Sequence, residues 1–182
     1  MTNPWRTLGS RLVYANRWIR VREDRVIRPD GGEGIYGVVE IRPSVGIVAL
    51  NDAGEIALVG QWRYPHGKLT WEIPRGGSQE GETDMLEVAR RELREEAGVE
   101  ARHWTPLGRT DVNNGVTTDT EHLFLATGLT LVAPRHDPEE RIVVRWVPLR
   151  SALETALAGG FAECCTELAI LKLAWLRRSS LL

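Results

Sequence analysis

The stretch "EIPRGGSQEGETDMLEVARRELREEAGV", residues 72 to 99, changes character twice. A short β-like run stops at Pro74, glycines follow at 76, 77 and 81, and then the apolar residues change period. Leu86, Ala89, Leu93 and Ala97 recur at steps of three and four, one apolar stripe on a helix from about Thr83 to Ala97. Gly98 is placed to end that helix, because glycine enters the left-handed conformation of a helix C-terminus without a Cβ penalty. Successive residues turn by about 100°, so Glu92 and Glu96 project together with Glu95 beside them. The apolar stripe falls on another face, which predicts carboxylates looking outward from a packed helix.

Like charges at this spacing repel. Arg91 and Arg94 are placed to relieve the repulsion, and so is a hard divalent cation, for which oxygen-rich clusters suit Mg²⁺ or Mn²⁺ better than zinc. Taken alone, three glutamates on a helix are more often a solvated face than a metal site. The glycine loop ahead of them favours the metal, since glycines allow tight turns and close approach of a ligand to the main chain. Strand, glycine loop and acidic helix form an arrangement suited to gripping a metal-bound pyrophosphate.

Working outward, the first half of the chain reads as strands. "NRWIRVREDRVIRPDGGEGIYGVVEIRP" (16–43) holds two β-rich runs joined at Pro29-Asp30-Gly31-Gly32, and "SVGIVALNDAGEIALVGQWRYP" (44–65) repeats the plan with a turn at 51–54. A short strand follows at 69–74. Beyond Gly98, strands are predicted at about 101–112, 121–127 and 141–147, with a loop at Asn113-Asn114-Gly115, and helices at about 150–158 and 162–178. Strands early, one helix midway and helices last predict an α+β fold with helices packed outside mixed sheets. Residues 1–42 read as a β extension and 43–182 as the main domain.

The chain has 182 residues, 42% hydrophobic and 26% charged, enough for one domain with a sizeable core. A net charge of −2 gives no basic field of the kind that tracks nucleic acid. Lys68 and Lys172 are the only lysines, so nearly every cation is an arginine, the better bidentate phosphate ligand. No stretch has the length of apolar chain needed to cross a bilayer, and the opening "MTNPWRTLGSR" lacks the apolar run of a signal peptide. The expected location is cytoplasmic. Cys164 and Cys165, adjacent in a predicted helix, read as reduced core residues.

The segment resembles the Nudix box, G-x5-E-x7-R-E-U-x-E-E-x-G-U with U aliphatic. Arg91, Glu92, Leu93, Glu95, Glu96, Gly98 and Val99 fit its second half in register. The first half departs by one residue. Counting from Gly76 reaches Glu82 correctly, but eight residues then separate Glu82 from Arg91, so the salt bridge that usually braces this loop is in question. The resemblance implies a Nudix fold, mixed β-sheets sandwiched between helices. It also implies Mg²⁺ or Mn²⁺ held by Glu92 and Glu96, a main-chain carbonyl near Gly76, and Glu95 completing or bridging a multi-metal site.

The flanks resemble the branch of that family that hydrolyses ADP-ribose and other nucleoside diphosphate sugars. "GQWRYP" ahead of "TWEIP" is similar to that branch, as is an N-terminal β extension that exchanges contacts across a homodimer. By this likeness Arg63 contacts the pyrophosphate or sugar, and Glu72 hydrogen-bonds a ribose. Trp18 and Arg20, in the extension, are placed to stack on a base or reach the partner subunit's ligand, although Trp18 reads more readily as a packed strand residue. The branch takes its general base from a loop outside the box. In "HDPEERIVVRWVPL" (136–149) Glu140 is the first choice and Glu139 the second. Asp119, in "NNGVTTDTEH", receives no role. The expected activity is metal-dependent cleavage of a nucleoside diphosphate sugar to a nucleoside monophosphate and a sugar phosphate, with no nucleic-acid or membrane partner. Its rivals are hydrolysis of a nucleoside triphosphate or an RNA 5′ end, and a non-catalytic ADP-ribose sensor. Sensors of that kind carry a degraded box and a DNA-binding domain, whereas all three glutamates are present here.

Overall fold

The structure, a computed structural model, describes residues 2–133 and 141–179. Its contacts divide into two units, one comprising the chain up to Pro43 together with Asp111–Thr120, the other comprising Ser44–Thr110 and the chain from Glu121 onward.

In the first unit, β1 (Arg6–Ala15), β2 (Ile19–Ile27) and β3 (Glu33–Ile41) form an antiparallel sheet in that order. Gly31, at φ +83°, closes the β2–β3 turn, where the amide of Gly32's neighbour Gly31 donates to the Arg28 carbonyl at 2.9 Å. The segment between residues 111 and 120 joins this unit through a bridge from Thr117 to Val39 and a bond from the Tyr36 hydroxyl to the Gly115 carbonyl at 2.7 Å. Strand β1 is absent from the sequence-based expectation, and every residue in it is exposed. Trp18 is not the packed strand residue expected. It lies in the turn before β2, 60% exposed, with the Arg17 guanidinium 4.0 Å above its ring.

In the second unit, β4 (Ser44–Ala49) runs through the core with all six residues buried. It pairs in parallel with β9 (Thr120–Leu131) and antiparallel with β7 (Arg75–Gly77), giving a mixed sheet β7-β4-β9-β8 that β8 (Val99–Asp111) completes. A second sheet has the order β10-β5-β6, from β5 (Glu55–Arg63), β6 (Lys68–Glu72) and β10 (Val143–Pro148). Helix α1 (Met85–Ala97) packs on β4 and β7, and α3 (Cys164–Ser179) also packs on β4 and on α2 (Leu149–Leu157). These are the mixed sheets between helices that the sequence predicts.

Helix α1 ends where its chemistry dictates. The Asp84 carboxylate accepts from the Leu86 amide at 2.9 Å, capping the N-terminus, and Gly98 at φ +63° returns its amide to the Arg94 carbonyl. Ala89 and Leu93 of the predicted stripe are fully buried with Val88, against Val45, Ile47 and Phe124. Among the described residues no helix is long and apolar enough to cross a membrane. Cys165 is buried, but Cys164 is exposed rather than in the core: it opens the first turn of α3, where one side still faces solvent.

Candidate active site

The short strand β7 lies over the acidic face of α1 and reverses one expectation from the sequence. Glu92 and Glu96 do not look outward; they are 8% and 6% exposed. The Arg75 amide donates to Glu96 Oε2 at 2.8 Å. One residue on, a Cβ at Gly76 would meet the Glu92 carboxylate and force it to turn away, so glycine there is favoured by space and not by φ. Two carboxylates therefore sit under a strand whose main chain is within reach of both. Glu95, one step round the helix, keeps 37% of its side chain exposed.

Arg91 joins these parts. Its Nε and Nη2 grip Glu82 at 3.1 and 3.0 Å, Nη2 also reaches the Gly77 carbonyl, and Nη1 donates to Glu92 at 2.7 Å and Glu95 at 2.9 Å. Burial opposes the charge on Arg91, but Glu82, then Glu92 and Glu95, hold its guanidinium above the ordinary range. The Glu82–Arg91 brace thus forms despite the one-residue departure from the family spacing. Helix α1 begins only at Met85, so the extra residue is absorbed in the short extended lead-in after Glu82. Arg94, expected to relieve the glutamates, turns instead to Glu100 at 2.9 Å.

Beside this face, Arg63, Pro65, His66, Thr70, Glu72, Arg75, Ala162 and Glu163 line a cavity of about 240 Å³. Arg63 and Glu72, both expected at the substrate, pair with each other: Arg63 Nε and Nη2 donate to the two oxygens of Glu72 at 2.8 and 2.7 Å. Glu72 is only 1% exposed and also accepts from the Thr70 hydroxyl. Arg75 lies next to this pair and forks onto Glu121 of β9. Burial opposes the Arg75 charge, and the surrounding carboxylates, Glu121 first and then Glu163 and Glu72, together more than offset it, so the guanidinium stays charged.

Sequence reasoning passed over Arg75, Glu121 and Glu163. A signal existed for Glu121: it alternates with Leu123 on the buried face of a strand, where an acid needs a partner. Nothing local shows that the partner is Arg75, 46 residues earlier.

Among the described residues only Glu163, Cys164 and Cys165 bring three His, Cys, Asp or Glu donor atoms within 4.8 Å of one another. That cluster is a helix cap. Glu163 accepts from the Cys165 and Thr166 amides at 2.8 and 2.7 Å, and burial pushes the Cys165 thiol far up, away from the thiolate that binds metals. The three box glutamates are spaced more widely, which is not the spacing of one ion gripped by all three. Their chemistry nevertheless fits hard divalent cations: carboxylates, two of them buried, beside the main chain of a glycine packed against one of them. In the other unit, Arg20 pairs with Glu40 at 3.4 Å. Glu139 and Glu140, the expected general bases, lie outside the described residues.

Comparison with known proteins agrees with this architecture. Residues 40–165 match the Nudix domain, and residues 5–39 match the nucleoside diphosphate sugar hydrolase N-terminal domain. An ADP-ribose pyrophosphatase of Mycobacterium tuberculosis is 35% identical over 84% of this chain and 75% of its own. An ADP-ribose pyrophosphatase of Bacillus subtilis is 28% identical over 82% of this chain and 81% of its own. The crystal structure of an ADP compounds hydrolase superposes with a TM-score of 0.83 over 96% of this chain and 95% of that one, at 21% identity, a likeness of fold. The chain belongs to the Nudix family. It is a Nudix hydrolase that cleaves the pyrophosphate bond of nucleoside diphosphate sugars, and hydrolases of this family use divalent cations.

Proposed function

We propose that ADP-ribose is the preferred substrate and that Glu92, Glu95, Glu96 and the main chain at Gly76 hold Mg²⁺ or Mn²⁺. The observation that carries this reading is the seating of two buried carboxylates against the backbone of β7. The relatives named ADP-ribose pyrophosphatase support the choice of substrate.

A pyrophosphate repels an attacking oxygen, and water is a poor nucleophile at neutral pH. Divalent cations, when bound, neutralise phosphate oxygens and acidify water. The protein does the rest. Arg91 fixes the directions of Glu92 and Glu95 and ties them through Glu82 to the glycine loop. Arg63, held in one orientation by Glu72, meets the diphosphate or the sugar next to it, while Glu72 reaches a ribose hydroxyl. Glu140, or failing it Glu139, accepts the proton of the attacking water as its oxygen bonds to phosphorus in line and the bridging oxygen leaves with the other phosphate. The products are a nucleoside monophosphate and a sugar phosphate.

The first unit serves as a dimerisation element, with Trp18 and Arg20 near the partner's ligand. Leu8, Leu12, Val13 and Tyr14 of β1 stand 42–54% exposed, an apolar surface suited to a second copy. The activity is tested by chromatographic identification of products from ADP-ribose, ADP-glucose, GDP-mannose, UDP-glucose and nucleoside triphosphates with Mg²⁺ or Mn²⁺. Monophosphate release from ADP-ribose supports the reading, and turnover confined to triphosphates contradicts it.

A further inference from the structure

Glu121 is fully buried in a strand whose neighbouring inward residue is Leu123. An apolar residue would fill the same place, and replacing a buried ion pair by packed hydrophobic residues is often neutral or stabilising. The surrounding structure nevertheless makes room for the charge. Gly46 of β4 has no Cβ where the Glu121 carboxylate lies. The partner, Arg75, forks onto Glu121 with Nε at 3.3 Å and with Nη2, while Nη1 stands 3.8 Å from Glu72.

Arg75 has a second attachment. It is the first residue of β7, it pairs with Gly46, and its amide donates to Glu96 at 2.8 Å. The next residue, Gly76, rests on Glu92. Strand β7 is three residues long and, among the described residues, pairs with β4 alone. Such a strand has few bonds of its own to hold it, and the Arg75 side chain adds an anchor to β9 beyond β4, beside the bond that Arg91 makes to the Gly77 carbonyl. Two glycines, Gly46 and Gly76, thus each leave space for a carboxylate, one behind β7 and one beneath it.

We propose that the Arg75–Glu121 ion pair is a positioning device that fixes β7, and through it the carboxylates of Glu96 and Glu92, in the arrangement that receives the cations. Neither residue touches the reacting atoms. The inference rests on the reading of Glu92, Glu95 and Glu96 as cation ligands. It predicts that loosening the pair weakens cation binding in the folded protein, because partners that orient metal ligands typically contribute roughly 10–100-fold to affinity.

The experiment measures Mn²⁺ binding, from the free-ion paramagnetic resonance signal, in the native chain and in Glu121→Gln, Arg75→Met, Arg75→Lys and Glu96→Gln. Folding is checked by circular dichroism, and kcat and KM are determined for ADP-ribose. The expected result is a roughly 10–100-fold weaker Mn²⁺ affinity in Glu121→Gln and Arg75→Met, partial recovery in Arg75→Lys, and a fall in kcat larger than the change in substrate KM at saturating metal. Glu121→Gln keeps the shape of the buried group, so it gives the answer if Arg75→Met does not fold. Native Mn²⁺ affinity in folded Glu121→Gln, with Glu96→Gln impaired, overturns the proposal while leaving the cation site intact. Native affinity in Glu96→Gln removes the cation site itself, and the proposal with it. A raised KM with unchanged Mn²⁺ affinity makes Arg75 a substrate contact and also overturns it.

Discussion

Arg91 reaches back nine residues to grip Glu82 through two nitrogens, at 3.1 and 3.0 Å, and carries Glu92 and Glu95 on its remaining donor. The two ends of the pair are unequal. Glu82 has Arg91 and the Gln79 amide, whereas Arg91 also holds the Gly77 carbonyl and two carboxylates of the acidic face. Arg91→Ala should therefore lose more turnover and more stability than Glu82→Ala. The expected destabilisation of Arg91→Ala is about 1.5–3 kcal/mol, the worth of hydrogen bonds to charged groups, measured by urea unfolding alongside steady-state rates.

The same bridge sets an acid limit. Arg91, by its hydrogen bonds first, holds the Glu82 carboxyl below its ordinary value of 4.5. A carboxylate with a lowered folded pKa contributes stability that is complete above its unfolded value and lost as pH falls through the folded one. The stability difference between the native chain and Glu82→Gln should thus be constant at neutral pH and shrink below about pH 4.5. Urea titrations between pH 3 and pH 7, roughly the span over which carboxylates titrate, test this; a difference that grows with acid contradicts it.

Gly76→Ala should fold and fail in catalysis. The added Cβ falls on the Glu92 carboxylate, which must turn away, and a displacement of about 1 Å in a catalytic site costs on the order of 100-fold in rate. Gly77→Ala is the control, because nothing stands within 4 Å of a Cβ there. Equal rates for the two variants would separate Gly76 from the site.

For Arg63 the informative change is to lysine. Removing the side chain altogether leaves Glu72, 1% exposed, short of its main partner, and breaking a buried pair costs about 3–5 kcal/mol, which confounds any kinetic result. Arg63→Lys keeps the charge and loses the fork. KM for ADP-ribose should rise about tenfold, the equivalent of roughly 1.4 kcal/mol, with kcat less affected and the thermal midpoint nearly unchanged.

Much of this arrangement is legible in the sequence because it is local. Leu86, Ala89, Leu93 and Ala97 announce α1 by their period, Gly98 announces its end, and the pattern of the three glutamates with their loop announces the family. What the sequence hides is what depends on distant partners. The burial of Glu92 and Glu96 comes from a strand of three residues inside the glycine loop, too short to show a period. Strand β1 has no buried face, so its residues carry no clean alternation to read. The Arg63–Glu72 and Arg75–Glu121 pairs arise from the pairing of β5 with β6 and from the meeting of β7, β4 and β9, neither of which side-chain type alone specifies.

The most direct test of the central claim is pyrophosphate cleavage by folded Glu96→Gln. Glutamine keeps an oxygen for the Arg75 amide and nearly the same volume, so the fold should hold while the charge proposed to receive a cation is lost. With ADP-ribose and saturating Mg²⁺ or Mn²⁺, turnover should fall by roughly three orders of magnitude, about 4 kcal/mol of lost transition-state stabilisation. Native turnover in that variant, with a native circular dichroism spectrum, would contradict the account.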